Sequence, residues 1–181
     1  MSPSRKHSRE EILDAAVATA FDGGLSQLSF GRVARRLGIA DRTVVYYFPT
    51  IGDLVANVVV VLGLQLQALL EPAFTDGAAE PLELVRRAWP TLAHADVDPT
   101  FALFFEANGL AAAGRAPYDA IVPQLVEGWI DWAAGFFTSP ESQRRTDAEA
   151  AIALIDGLLL LRQLAGPDAA TRAATRLTIT D

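Results

Sequence analysis

From Ile12 to Phe48, and across most of the remaining chain, apolar residues recur at the three- and four-residue intervals of a helix. No stretch of useful length alternates apolar with polar as a half-buried strand would, so the pattern predicts an all-α fold. The helix ends are written locally. Ser8 with Glu11 forms a capping box that starts a helix near Arg9, with Ile12, Leu13, Ala16, Val17, Ala20 and Phe21 on one face. Gly23-Gly24 ends it. Ser29 is placed to N-cap a short helix to Arg36, Leu37-Gly38-Ile39 makes a turn, and a second short helix covers about Ala40 to Tyr47 before Pro49. Thr50 with Asp53 repeats the capping-box pattern and opens a long helix to about Glu71, where Pro72 stops it. Pro81, Pro99, Pro117 and Pro167 are placed to open further helices, and Thr146 with Glu149 to cap one that runs to about Ala165. Pro90 and Pro123 fall inside apolar stretches and are expected to kink or split them.

Composition narrows the function classes. The absence of cysteine removes disulfides, thiolate metal sites and cysteine nucleophiles together, and suits a cytoplasmic protein. His7 and His94 are too far apart for a histidine-rich metal site, so no metal or cofactor is expected. The N-terminus is polar with no apolar stretch behind it, unlike a signal peptide. The longest apolar run, Val58 to Leu70, is interrupted by Gly63, Gln65 and Gln67 and reads as a buried helix rather than a membrane span. The net charge of −7 speaks against a polyanionic partner until its distribution is considered. Residues 1–50 hold seven basic side chains (Arg5, Lys6, Arg9, Arg32, Arg35, Arg36, Arg42) against five acidic ones, a balance of +2, leaving −9 on residues 51–181. A basic head on an acidic body can approach nucleic acid with one face only.

Residues 29–48 carry the chemistry. Two short helices joined by Leu-Gly-Ile have the shape of a helix-turn-helix. Val33, Leu37, Ile39, Val44 and Phe48 can form a small core against Ile12, Ala16 and Phe21, and Ala34 lets the two helices cross closely. Asp41, Arg42, Val45 and Tyr46 are then left outward-facing on the second helix, where base edges of a major groove can be read. Arg42 can donate two hydrogen bonds to a guanine, and Val45 can pack on a thymine methyl.

Ala34, Leu37-Gly38-Ile39, Thr43, Val44, Tyr47, Phe48 and Leu54 together resemble the N-terminal domain of the TetR family of transcriptional regulators, over about residues 6–66. The resemblance implies a three-helix DNA-binding head at 6–66 and, at 67–181, a larger helical domain for ligand binding and dimerisation. It also implies phosphate contacts from Ser29, Thr43, Tyr47 and the backbone N–H of Thr50, with Tyr47 packing inward as the alternative. Three positions depart from the family pattern. Ala40 stands where a capping Ser or Thr is usual, Val45 where a tyrosine is common, and Ile51 where a lysine typically touches phosphate. Loss of that cation would flatten the salt dependence of binding by about one unit.

The body carries weaker signals. Family resemblance implies that its last two long helices pair with a partner's, and two segments fit. About 117–137 sets Leu125, Trp129, Trp132 and Phe136 along one face, and about 147–165 carries Ile152, Ile155, Leu158, Leu159 and Leu161 with Gly157 for close approach. The second is apolar around most of its circumference, which suits either an interface or an ordinary core helix. Phe101, Phe104, Phe105 and Asn108 place a polar amide on an aromatic stripe, as a pocket for a small apolar or aromatic effector would; core packing, with Asn108 bonded to backbone, is the plainer reading of the same stripe. Trp89, His94 and Asn57 are secondary ligand candidates. Asp156, in an apolar stretch, needs a partner if buried.

The reading that joins these features is a ligand-responsive homodimer that binds double-stranded operator DNA, with repression its expected sense. A small-molecule-binding helical protein with weakened DNA readout is the alternative, suggested by Ile51 and Val45. An enzyme is disfavoured, since no nucleophile–base pair, metal spacing or phosphate loop is present.

Overall fold

The computed structural model describes residues 7–180, and among them every extended regular element is helical. Arg5 and Lys6 of the basic head lie outside the described residues. The head is α1 (Arg9–Gly23), a 3-10 turn (Leu25–Gln27), α2 (Phe30–Leu37) and α3 (Asp41–Tyr47). A long helix, α4 (Ile51–Leu70), leads from the head into the body of α5 (Pro81–Leu92), α6 (Asp98–Ala112), α7 (Tyr118–Ala134), α8 (Glu141–Ala165) and α9 (Pro167–Arg176).

Both capping boxes form as their sequences predict. Ser8 and Thr50 each accept from the backbone N–H three residues on, and the carboxylates of Glu11 and Asp53 reach back to the cap N–H. Thr146 and Glu149 cap nothing. They lie inside α8, which starts five residues earlier, after Pro140. The extra turn is held by Arg145, which meets Glu127 at 2.6 Å and Asp131 at 3.1 Å on α7 and Glu149 at 3.2 Å on α8. Pro90 and Pro123 split nothing either. They sit in the last turn of α5 and the second turn of α7, where each removes one i→i−4 hydrogen bond from a helix that continues through it.

Two apolar cores are stacked along α4. One fills the head, with Ile12, Ala16, Leu25, Val33, Val44 and Phe48 packed on Leu54, Val55 and Val58, and it continues onto Leu103 and Ala107 of α6 and Tyr118 and Val122 of α7. The other joins the lower end of α4 to α5 through α9. Phe21 does not belong to the head core. It lies nine residues beyond Ile12, half a turn around the helix, and is 42% exposed. Ile51–Phe74, counting the 3-10 turn after α4, is long and apolar enough by length and composition to cross a bilayer, contrary to the expectation from the interruptions within Val58–Leu70. One face of that helix is nonetheless taken up by the two cores.

Candidate DNA-binding face and ligand cavity

The turn between α2 and α3 is made by Gly38 at φ 68°, ψ 32°, whose N–H returns to the carbonyls of Ala34 and Arg35. This left-handed stop lets α3 leave α2 abruptly. The N-cap Ser29 is exposed and its Oγ accepts from the Arg32 N–H at 3.3 Å. The cap of α3 is Ala40, which offers no side-chain bond; the Thr43 N–H turns back to the Ala40 carbonyl at 2.9 Å instead. Val44 and Phe48 are buried, which turns the other face of α3 to solvent: Asp41 and Arg42 are exposed, Val45 is 38% exposed and Tyr46 79% exposed. Thr43 is half-buried beside them. Gly31 of α2 leaves room for the Asp41 carboxylate, an oxygen of which lies 3.3 Å from where a Cβ would stand.

Charge pairing decides which head cations are available. Arg36 meets Asp22 at 2.5 Å, and Arg9 stacks 4.7 Å over Phe48 while donating to Asn57 Oδ1 at 2.6 Å, so both serve the fold. Arg32, Arg35 and Arg42 make no ion pair among the described residues, and only Arg42 projects from α3. Two of the polar groups expected at phosphate are already committed. The Tyr47 hydroxyl donates to the His7 carbonyl at 2.9 Å, with its ring edge-on to Tyr46 at 5.0 Å, and the Thr50 N–H donates to Asp53 at 3.0 Å.

In the body, α4 through α8, with Leu25 of the head's 3-10 turn and Phe74, line a cavity of about 90 Å³. Phe101 and Phe104 of α6 line it, as the aromatic stripe predicts, whereas Phe105 packs against them outside the lining and Trp89 of α5 is buried in the body core. Asn108 lies outside the lining, and among the described residues its Oδ1 is buried without a partner, backbone included. The residues expected at a dimer interface point inward. Leu125, Trp129, Trp132, Ile152 and Ile155 line the cavity, and Leu159, 1% exposed, is core. The solvent face of α8 is a different stripe, Ala150, Ala153, Gly157, Leu160 and Leu164, at alternating three- and four-residue steps.

Asp156 also lines the cavity. Its carboxyl is pushed up to about 6 by burial, and it makes no hydrogen bond or ion pair among the described residues. Two further polar contacts have no counterpart among the sequence expectations. Arg162, buried, takes Asp98 bidentately at 2.6 and 2.9 Å, tying α8 to the start of α6. Glu106 of α6 accepts from the N–H groups of Leu25 and Ser26, both at 2.8 Å, and so fastens the body to the head's 3-10 turn. Gly24 at φ 86° is required there, because a Cβ would stand 2.8 Å from Glu106 Oε2. The nearby Tyr118 hydroxyl is pushed up to about 12, first by burial and then by the Glu106 charge.

Residues 12–58 match the family model of bacterial regulatory proteins, tetR family. No curated protein matches the chain. Among solved structures, a transcriptional regulator from Rhodococcus sp. Rha1 aligns with a TM-score of 0.71 at 20% identity, over 96% of this chain and 94% of that one. A TetR-family regulator from Agrobacterium tumefaciens aligns with a TM-score of 0.65 at 20% identity, over 94% and 95%. The multidrug binding protein EbrR, complexed with imidazole, aligns with a TM-score of 0.68 at 26% identity, over 93% and 88%.

Proposed function

We propose that this chain, which belongs to the TetR family of transcriptional regulators, binds a near-palindromic operator as a homodimer and releases it when a small molecule enters the body. The observation that carries the reading is the outer face of α3. Arg42, Val45 and Tyr46 are held outward by a packed helix-turn-helix, and among the described residues no ion-pair partner occupies Arg42. Arg42 and Val45 are assigned to base edges with Asp41 and Tyr46 beside them. Ser29, exposed, and Thr43, half-buried beside the reading face, are assigned to phosphate. Tyr47 and Thr50 join them only if their present partners, His7 and Asp53, give way.

The partner surface is assigned to the exposed stripe of α8. Leu160, Leu161 and Leu164 are 41%, 36% and 78% exposed, and Gly157 has nothing within 4 Å of a would-be Cβ, so a second helix can approach closely. Two recognition helices about 34–36 Å apart would then meet successive major grooves. Helix α4 supplies the link between sites. Its first half is head core, and Val59, Leu62, Gly63 and Leu66 line the cavity. A ligand that prefers a different seating of α4 would change the spacing of the heads. EbrR has been solved with imidazole, proflavin and malachite green, which favours the cavity of this chain as its effector site.

Selection of bound fragments from a genomic library, followed by gel shift at low salt, tests this function. One enriched near-palindrome that shifts specifically supports it, and no specific shift refutes it. A second reading, ligand binding without DNA readout, is favoured by Ile51 at the phosphate position and the committed Tyr47 and Thr50. Ligand retained in native mass spectrometry with no specific shift would establish it.

A further inference from the structure

Charged groups drawn into the fold elsewhere have partners: Arg162 has Asp98, Arg87 has Glu83, and Glu106 has two backbone N–H groups. Asp156 has none among the described residues, and it faces a cavity instead. Among the described residues that line it there is no lysine, arginine or histidine. An anionic ligand would therefore meet repulsion, and an apolar neutral one would deepen the burial of a carboxylate without compensating it. The rest of the wall suits the opposite charge. Trp129 and Trp132 stand edge to face at 5.2 Å, and Phe101 and Phe104 edge to face at 6.4 Å, so the site carries aromatic surface of two orientations from two helices. Aromatic faces attract desolvated cations.

We propose that the cavity takes an organic monocation with an apolar body, its charged head beside the Asp156 carboxylate and among the rings of Trp129, Trp132, Phe101 and Phe104. This rests on the reading of the cavity as the effector site and adds the charge class of the effector. Size sets a further condition. The inner cavity, at about 90 Å³, is smaller than the about 150 Å³ apolar cavity that admits benzene, so it holds a head group rather than a whole drug-sized molecule. A groove of about 140 Å³ between α4 and α7, lined by Val60 and Leu64 among others, shares Gly63, Leu125 and Trp129 with the cavity. The apolar body of the ligand lies there, and Trp129 divides head from tail.

The test uses the full chain and a charge-matched pair, benzyltrimethylammonium and its uncharged isostere neopentylbenzene, with binding read by quenching of tryptophan fluorescence and by calorimetry. The cation binds about ten-fold or more tightly than the isostere. Asp156→Asn removes that preference and leaves the isostere's affinity unchanged or improved. Equal affinity of the two probes in the wild-type chain, a preference that survives Asp156→Asn, or no binding of either probe at millimolar concentration overturns the proposal. The first comparison needs no variant, so it holds whether or not Asp156→Asn folds. Adding each probe to the operator complex separates the two claims. Cation binding without release of DNA keeps the site and refutes the effector reading, while release by the isostere alone keeps the effector reading and refutes the cation.

Discussion

Replacing Glu106 with alanine removes both hydrogen bonds that fasten α6 to the turn after α1. Hydrogen bonds to a charged group contribute about 1.5–3 kcal/mol each when the donor is left unsatisfied by their loss. The two donors here are not equal. Ser26 is exposed, so water replaces Glu106 at its N–H, whereas Leu25 is 1% exposed and its amide is not readily rehydrated. The expected cost is therefore about 2 kcal/mol, nearly all of it from Leu25, which corresponds to a roughly 30-fold rise in local opening. Native-state hydrogen exchange at the Leu25 amide reads that change directly, with buried amides of α1 as the internal control. Thermal unfolding is expected to fall by about 4–8 °C for a chain of this size. Glu106→Gln, which keeps one acceptor, falls between. Because α6 also carries Phe101 and Phe104 of the cavity wall, the same variant is expected to weaken the effect of a bound ligand on operator affinity. If Leu25 exchange changes by less than about two-fold, the carboxylate does not hold the turn and α6 is not a route to the head.

Three other variants each test one side chain's surroundings. Asp98→Ala leaves Arg162 buried and unpaired and is expected to cost about 3 kcal/mol in urea unfolding, the low end for a broken buried pair because Asp98 keeps a third of its side chain exposed. The Asp156 carboxyl is raised by burial alone, so the folded state binds its proton more tightly than the unfolded chain does; the stability this confers is present below about pH 4 and is lost as pH rises through about 6. Asp156→Asn should therefore be the more stable chain at pH 8, with the difference closing toward pH 4 in a series of thermal melts. Leu164→Glu, at 78% exposure, should leave the protomer folded but place a charge in the proposed partner surface, giving a monomer by analytical ultracentrifugation and a loss of operator binding.

The features legible in the sequence are those that depend on neighbours in the chain. Ser8 with Glu11 and Thr50 with Asp53 satisfy amides three residues away, and Gly38 between two short helices needs no distant partner to make its turn. The same local rule fails at Thr146, because Arg145 is held by carboxylates of another helix and draws α8 one turn further back. The facing of α8 is not legible for a different reason. A helix apolar on most sides gives periodicity no phase, so Ile152, Ile155 and Leu159 read as interface residues when they pack inward, and Leu160 and Leu164 do not stand out. Glu106 and the Asp98–Arg162 pair join residues more than sixty positions apart, and nothing in either local sequence marks the partner.

The central claim is that the outer face of α3 reads DNA, and Arg42 is where it is most exposed to test. Fluorescence anisotropy on the selected operator, with Arg42→Ala beside Arg36→Ala, compares an unpaired arginine on the reading helix with one paired to Asp22. Loss of a bidentate base contact costs about 1–3 kcal/mol, so Arg42→Ala should bind roughly 5- to 150-fold more weakly to the operator while its weak binding to unrelated DNA changes little. Arg36→Ala should stay close to wild type on both. Unchanged operator affinity in Arg42→Ala would contradict the assignment of the reading face.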